Sequence, residues 1–557
     1  MTKTSVPLYH NALCLNELFD SVFRQFGDST AFSHSGGSIS FAELDQKSRI
    51  LAGWFQQQLE LKPGDRVAVQ LPNIMQYPLV MVAIQRAGLV LVNSNPLYTP
   101  AELHFQLKDS GARALITFAP LARRAAIALE NTAVTSILIT ELGDLHPPMK
   151  GWLLNQYVRH IAMPFSDSSL PQVTWLQDVL SQHSTEAWQP VKQTSNDLAL
   201  LQYTGGTTGI PKGAMLTQGN LMANLKQLKD LLERYTHTGQ ERLLQPLPLY
   251  HIYAFMLNLA FFSQGANTEL VPNPKNIKSL IRCFQTHKPT VFAGINPLFN
   301  TLLNHKHFKR LSFKHLGLTI SGGMALSPLL GTAWSEVTGS AIAEGYGLTE
   351  CSPVVSVNRP DHIIIGSVGP ALSNTQVRII DEQGNLLPIG ETGEIQVKGP
   401  QVMAGYWNQP EETQQALSRD GWLNTGDIGL LTQEGALKII DRKKELICVS
   451  GFKVFPSELE TLVCSMPEVE DCAAIGIPDE ATGEKIKLYV MTRSTNLTPQ
   501  TVRTYCKERL TAYKVPKCVE FCSTLPRTPV GKVLRRKLKE QALRQLENNS
   551  RNSNQAR

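Results

Sequence analysis

Tyr203-Thr204-Gly205-Gly206-Thr207-Thr208-Gly209-Ile210-Pro211-Lys212-Gly213 directly follows an apolar run, residues 198–203, that reads as a β-strand. Where no Cβ intervenes, backbone N–H groups approach an anion closely, and this segment adds three threonine hydroxyls and the Lys212 ammonium to its four glycines. That composition suits a polyphosphate. It is not a Walker A loop, because Lys212 is followed by Gly213 and is separated from Gly209 by Ile210-Pro211. An ordinary glycine-rich turn has no use for three threonines and a lysine packed among the glycines. Upstream, strand-like runs at 66–71, 89–92, 114–118 and 136–140 alternate with helical patterns at 77–86 and after Thr99-Pro100-Ala101-Glu102, a Thr N-cap with Pro at the first helical position and Glu three residues on. Such alternation predicts an α/β fold with a parallel sheet.

The texture then changes twice. Residues 142–196, with Pro147, Pro148, Pro164 and Pro171, break the alternation and are predicted to be a surface excursion. From Ser367 short strands and turns (377–381, 393–398) predict a mainly β subdomain at about 367–441. After Asp441 a helix at 456–464 and strands at 472–477 and 487–492 predict a small α+β domain, 442–557, behind an N-terminal domain of residues 1–441.

Length and composition bound the rest. A chain of 557 residues with 42% hydrophobic and 18% charged content has ample core for several compact units, which excludes a single small module or a disordered chain. No apolar stretch approaches the ~18–20 residues that span a bilayer, and the first 27 residues lack the apolar segment of a secretory signal, so a cytoplasmic protein is expected. Nine cysteines without a CxxC pair read as reduced thiols rather than a zinc ribbon or a disulfide framework. The net charge of +6 is matched by residues 531–557 alone, which hold eight basic and two acidic side chains. Leu534, Leu538, Ala542 and Leu546 recur there every four residues, so this tail is either an amphipathic helix resting on anionic membrane at the inner surface or a solvated helix with a frayed end. Nucleic acid is not an expected partner.

Six further segments follow in order: Pro248-Leu249-Tyr250-His251-Ile252, Ser321-Gly322-Gly323, Glu344-Gly345-Tyr346-Gly347-Leu348-Thr349-Glu350, Gly421-Trp422-Leu423-Asn424-Thr425-Gly426-Asp427, Asp441-Arg442-Lys443-Lys444-Glu445 and Pro529-Val530-Gly531-Lys532. With the Thr/Gly-rich loop, they make the chain resemble the adenylate-forming superfamily of acyl-CoA synthetases, adenylation domains and luciferases from about residue 15 to 545. The wording of the motifs is nearest to the bacterial long-chain fatty-acid–CoA ligases of that superfamily. Any one of the seven is weak alone. Seven in order are specific.

The resemblance implies a large N-terminal domain of two α/β subdomains plus the β subdomain, and a C-terminal domain that moves. It implies that a fatty acid and ATP, with Mg²⁺, give acyl-AMP and pyrophosphate, and that CoA then displaces AMP. It assigns the phosphates to Thr204, Gly205, Gly206, Thr207, Thr208, Gly209 and Lys212, the metal to Glu350, and the α-phosphate to Thr349. Adenine falls to Tyr346 with backbone near Gly322 and Gly345, and the ribose to Asp427 and Arg442. Lys532 bridges the carboxylate and α-phosphate, Lys444 is the hinge, and Ser450, Gly451 and Lys453 line the CoA channel. The residues agree with these roles: two anions must meet, so cations and Mg²⁺ must offset their repulsion, and Asp427 offers one acceptor to two ribose hydroxyls.

Other readings stay open. His251 opens the apolar run 252–262, which fits a tunnel wall near the substrate carboxylate and fits plain core packing equally. Gly451 is a channel glycine or a turn glycine, and Lys453 a CoA-phosphate contact or a surface lysine. The function rivals are a ligase for medium-chain or aromatic acids, an acyl-AMP ligase, and a non-catalytic lipid-import protein, with a homodimer open to each. Intact Thr349, Glu350, Asp427 and Lys532 speak against the last, and a chain ending soon after Lys532 speaks against a modular carrier-domain role.

Overall fold

The computed structural model describes residues 12–163, 173–204, 211–492, 494–528 and 531–555. The predicted strands form the centre of an eight-stranded sheet. Its order is Gly405–Tyr406, Lys212–Thr217, Leu198–Thr204, Val90–Asn93, Arg66–Gln70, Ala114–Phe118, Ser136–Thr140 and Thr174–Trp175. All pairs from Leu198–Thr204 onward are parallel, and the two pairs before it, both made by Lys212–Thr217, are antiparallel. Parallel strands are covered on both faces, and Val90–Asn93 and Ala114–Phe118 are accordingly buried at every position. The helix Pro100–Ser110 begins as predicted: Thr99 Oγ1 accepts from Glu102 N–H, and the Glu102 carboxylate accepts from Thr99 N–H at 2.8 Å.

A second eight-stranded sheet runs Val354–Val357, Ile342–Gly347, Leu318–Gly322, Val291–Gly294, Arg242–Gln245, Asn267–Leu270, Thr30–His34 and Gly37–Ser40. Its core centres on Trp334, stacked on Phe292 at 5.6 Å and edge-on to Phe299 at 4.8 Å. The apolar run after His251 is the helix Ile252–Ser263, in which every residue but Tyr253 is buried. Phe262 packs against Phe19, Phe32 and Phe41, so core packing accounts for this run.

The chain forms two compact units, one of residues 1–376 and 397–423, the other of residues 377–396 and 424–557. Both eight-stranded sheets belong to the first. The predicted division at 441/442 falls inside the second. There the strands Gln376–Ile380, Gly393–Lys398, Leu423–Leu431 and Leu437–Arg442 make the four-stranded sheet of the β subdomain. A five-stranded sheet, including the hairpin strands Val469–Asp479 and Gly483–Thr492, carries the α+β part. The basic tail is the helix Arg535–Gln555, and its apolar stripe is already used: Leu538 and Ala542 are buried with Ala473, Ile475, Ile477 and Tyr489 of the sheet. No helix among the described residues is long and apolar enough to cross a membrane. All nine cysteines are free thiols.

Residues 142–196 are more than a surface excursion. Thr174–Trp175 adds an edge strand to the first sheet, parallel to Ser136–Thr140. Trp188 closes a buried cation site at the end of the helix Gln76–Arg86. The Arg86 guanidinium, fully buried, pairs with Asp45 and with Asp20 at 3.2 Å, and lies 4.9 Å from the Trp188 ring and 5.3 Å from the Phe23 ring. Trp188 Nε1–H donates to the Arg86 carbonyl at 3.2 Å. Four separate segments thus meet on one side chain, a long-range arrangement that proline counts cannot signal. Arg86→Met is expected to lower unfolding stability by about 3 kcal/mol, because it removes the buried guanidinium shared by Asp45 and Asp20 and its contacts with the Trp188 and Phe23 rings. Arg113→Ala, which breaks a half-exposed pair with Asp65, should lower it by under about 1 kcal/mol. Denaturant titration of both variants tests the ranking, and equal losses would contradict it.

Candidate active site

In the first unit the predicted residues gather at strand ends. Thr204 closes the strand Leu198–Thr204 and is the register partner of Lys212, so the two ends of the Thr/Gly-rich segment are held side by side. Gly205, Gly206, Thr207, Thr208 and Gly209 lie outside the described residues. Gly213 is explained by contact: a Cβ there would lie 3.2 Å from the Tyr203 ring, whose hydroxyl donates to Asp109 at 2.5 Å.

Gly322 and Gly345 are direct partners across parallel neighbouring strands. Both positions are tight, since a Cβ would come within 3.2 Å of Tyr253 at one and of Val357 at the other. The pair leaves a flat, side-chain-free strip at the carboxyl ends of parallel strands, where α/β sheets bind ligands, with Tyr346 next in line. Two buried hydroxyls border it, Ser321 and Tyr253, and neither has a hydrogen-bond partner among the described residues. Groups of that kind are completed by water or ligand. Glu344, the first residue of the Glu-Gly-Tyr motif, has its carboxyl pushed up to about 7 by burial and accepts from Leu326 N–H at 2.8 Å, which fixes the loop after Gly323.

His251 is the N-cap of the helix Ile252–Ser263, where its Nδ1 accepts from Tyr253 N–H at 3.3 Å. Burial pulls the imidazole down to about 4, so it is neutral at pH 7 and serves as an acceptor or an Nε2–H donor, not as a cation.

Thr349 and Glu350 lie on a 3₁₀ turn, Thr349–Cys351. The Glu350 carboxylate accepts from the Tyr406 hydroxyl at 2.7 Å, and its carbonyl accepts from Met403 N–H at 2.8 Å. Tyr406 sits on the edge strand paired to Lys212–Thr217, opposite Ala214. The Lys212 ammonium lies 5.3 Å from the Tyr406 ring and is ion-paired to Glu412. One tyrosine therefore touches both the phosphate candidate Lys212 and the metal candidate Glu350. Burial and the Glu350 charge raise its phenol pKa, which keeps it a neutral donor. Tyr406 and Glu412 were not predicted from sequence. Their link to residues 212 and 350 is made by strand pairing across about 200 residues, and the only sequence cue is an aromatic, Gly405-Tyr406-Trp407, between turn residues.

No group of three or more His, Cys, Asp or Glu side chains that could cage a metal occurs among the described residues. A single carboxylate fits Mg²⁺, which keeps several waters and takes its other ligands from substrate phosphates.

The second unit holds the remaining candidates. Asp427 and Arg442 are cross-strand partners and form an ion pair at 2.9 Å, with Asp427 buried. Lys532 projects from a turn pinned by Thr528: its N–H donates to Thr528 Oγ1 at 3.0 Å, and Gly531, at φ +80°, makes the left-handed step. Burial lowers the Lys532 pKa. Arg442 pushes the same way, and Glu445 and Asp427 oppose it, so the ammonium stands among the ribose candidates. Lys444 lies in the turn Lys443–Glu445, whose neighbours are both tied down, Lys443 to Glu394 at 2.6 Å and Glu445 to Arg535. Ser450 and Gly451, at φ +51° and +81°, form the two-residue turn of the hairpin Ile447–Val449/Phe452–Val454. A Cβ on Gly451 would meet nothing within 4 Å, and Lys453 pairs with Glu382.

Comparison with known proteins agrees with this geometry. The chain is 42% identical over 538 residues to a long-chain-fatty-acid–CoA ligase of Escherichia coli O6:H1, covering 96% of this chain and 95% of that one. It is 40% identical over 532 residues to a long-chain-fatty-acid–CoA ligase of Yersinia pestis, covering 95% and 94%. Among solved structures, ATP-bound MatB from Rhodopseudomonas palustris superposes with a TM-score of 0.82 at 30% identity over 94% of this chain and 98% of that one. Residues 19–407 match the AMP-binding enzyme model and residues 458–532 the AMP-binding enzyme C-terminal domain, and the chain belongs to the AMP-binding enzyme family.

Proposed function

We propose that this protein is an ATP-dependent, AMP-forming ligase that converts long-chain fatty acids to their CoA thioesters. The observation that carries the reading is the 42% identity to a long-chain-fatty-acid–CoA ligase along 96% of the chain. In the first step a carboxylate oxygen attacks the α-phosphorus, a P–O bond to the β-phosphate breaks and pyrophosphate leaves. In the second the CoA sulfur attacks the acyl carbon, loses its proton and expels AMP.

The difficulty of the first step is electrostatic. Two unit charges 4 Å apart repel by about 4 kcal/mol at an effective dielectric of 20, and a polyphosphate carries several. Lys212 and the Thr204 end of the loop face the phosphates, and Lys532 stands between carboxylate and α-phosphate. Mg²⁺, when bound, supplies charge neutralisation on the phosphate oxygens, with Glu350 as its protein ligand. Tyr346 and the Gly322/Gly345 strip receive adenine, and Asp427 and Arg442 the ribose. Tyr406 acts through Glu350, whose carboxylate it orients by its hydroxyl. After adenylation the domain 442–557 turns about Lys444, bringing Ser450, Gly451 and Lys453 to the pantetheine arm.

Three outcomes check this assignment. Glu350→Gln should sharply lower fatty-acid-dependent ATP–pyrophosphate exchange, with unfolding little changed. Tyr406→Phe should raise the Mg²⁺ concentration needed for half-maximal rate several-fold while leaving kcat at saturating Mg²⁺ nearly intact, a split that simple damage to the fold would not give.

Lys532→Ala should slow acyl-AMP formation by ~10²- to 10³-fold. It should leave conversion of supplied acyl-AMP and CoA to thioester near normal. Gly451→Leu should do the reverse, with Gly451→Ala as the control that carries the same left-handed backbone strain without the bulk. Single-turnover kinetics of each half-reaction decide, and equal slowing of both steps in Lys532→Ala and Gly451→Leu would reject the division of labour.

A further inference from the structure

The backbone carbonyl of Glu460 brings two thiols together. It accepts from the N–H of Cys464, the residue that ends the helix Pro456–Val463, at 2.8 Å. It also accepts from the thiol of Cys472, on the strand Val469–Asp479, at 3.4 Å. The two sulfurs are in contact at 3.5 Å, and Cys464 is exposed while Cys472 is buried. One accessible sulfur that meets an oxidant, touching one sheltered sulfur that completes a bond, is the arrangement of a reversible redox site.

The contact also divides the protons unequally. The hydrogen bond from Cys472 lowers the Cys464 pKa, and the nearby Arg527 charge acts the same way against burial; the same bond and burial raise the pKa of Cys472. Cys464 is therefore the attacking thiolate and Cys472 the resolving thiol. We propose that Cys464 and Cys472 form a peroxide-responsive pair that closes to a disulfide and so disturbs the turn that carries Lys532. The Cys464 sulfur attacks one oxygen of hydrogen peroxide, the O–O bond breaks, and hydroxide leaves and is protonated to water. The Cys472 sulfur then attacks the sulfenic sulfur, the S–O bond breaks, and hydroxide leaves with the Cys472 proton as a second water. Two thiols lose two electrons, and one peroxide gains them.

The link to Lys532 runs through Arg527, which pairs with Asp471, the neighbour of Cys472, and donates to the Gly531 carbonyl at 2.6 Å. Residues 527 and 533 also bridge across the turn. Closing the sulfurs from 3.5 Å to the ~2.05 Å of a disulfide pulls on residue 472 and on the Asp471 anchor beside it. The expected loss of rate rests on the adenylation role proposed for Lys532.

The test treats full-length reduced protein with hydrogen peroxide, alkylates the remaining thiols and maps the digest without reductant. The expected product joins residues 464 and 472, is absent in Cys464→Ser and disappears with dithiothreitol. Cys472→Ser should instead leave a Cys464 sulfenic acid that dimedone captures, and Cys448, also exposed, should still be alkylated in the oxidised protein. Oxidation should quicken amide hydrogen exchange at Gly531, Lys532 and Leu534, whose N–H groups are bonded to Thr528 and Pro526. It should lower fatty-acid-dependent ATP–pyrophosphate exchange several-fold, reversibly, and Cys464→Ser should keep its full rate in peroxide. A lasting sulfenic or sulfinic acid on wild-type Cys464, a bond from Cys472 to the buried Cys506, or a dimer joined through Cys464 overturns the proposal. So does a mapped 464–472 bond that leaves hydrogen exchange in the Lys532 turn unchanged. Mapping and hydrogen exchange need no substrate: if both behave as expected while pyrophosphate exchange keeps its rate, the redox pair stands and the role given to Lys532 fails.

Discussion

Repulsion between two anions governs the arrangement of this protein. A carboxylate and a polyphosphate must meet, and the charges that make this tolerable have to be held in place while no substrate is present. The residues proposed for this task are each paired: Lys212 with Glu412, Asp427 with Arg442, and Lys453 with Glu382, while Glu350 takes the Tyr406 hydroxyl. A charge left alone in a partly buried site would lower its cost by shifting its pKa or its position. Paired, it keeps both, and an incoming phosphate or metal exchanges one partner for another. Lys532 is the exception that makes the point. Among Arg442, Glu445, Asp427 and Arg535 its surroundings are mixed, and burial lowers its pKa. An ammonium so placed loses little by moving onto a new anion.

Much of this was legible in the sequence, for local reasons. The Thr99 cap depends on residues a few positions apart and is as expected. The strands 114–118 and 136–140 match to the residue, because buried parallel strands read as near-continuous runs of apolar and β-branched residues. What escaped is what the fold brings together from afar. Nothing near residue 406 announces residues 350 and 212, and nothing in the proline-rich stretch 142–196 announces that Trp188 will lie over Arg86. Periodicity has a related blind spot. It shows the apolar stripe of the tail but cannot say that strands of the same domain cover Leu538 and Ala542.

The hinge assignment gains a mechanical argument from the ties around it. Lys443 is bonded to Glu394 in the β subdomain, and Glu445 to Arg535, which also grips Glu460 through two hydrogen bonds at 2.6 and 3.1 Å. Fixed points on both sides of one residue concentrate any relative rotation into the torsions of that residue, as hinges require. Such a rotation also has to part groups that now touch across residue 444. The Asp441 carboxylate accepts from Ser457 N–H at 2.9 Å, and Lys532 must leave the neighbourhood of Asp427 and Arg442. These groups are polar, as is the Lys453–Glu382 pair across the same point. Separating polar groups that water can serve costs far less than opening an apolar interface, because each lost hydrogen bond is replaced by one to solvent and its net worth is only about 1 kcal/mol. For the rotation about Lys444 proposed above, contacts of this kind keep the cost of leaving the present position low, which is what lets a bound ligand shift the equilibrium.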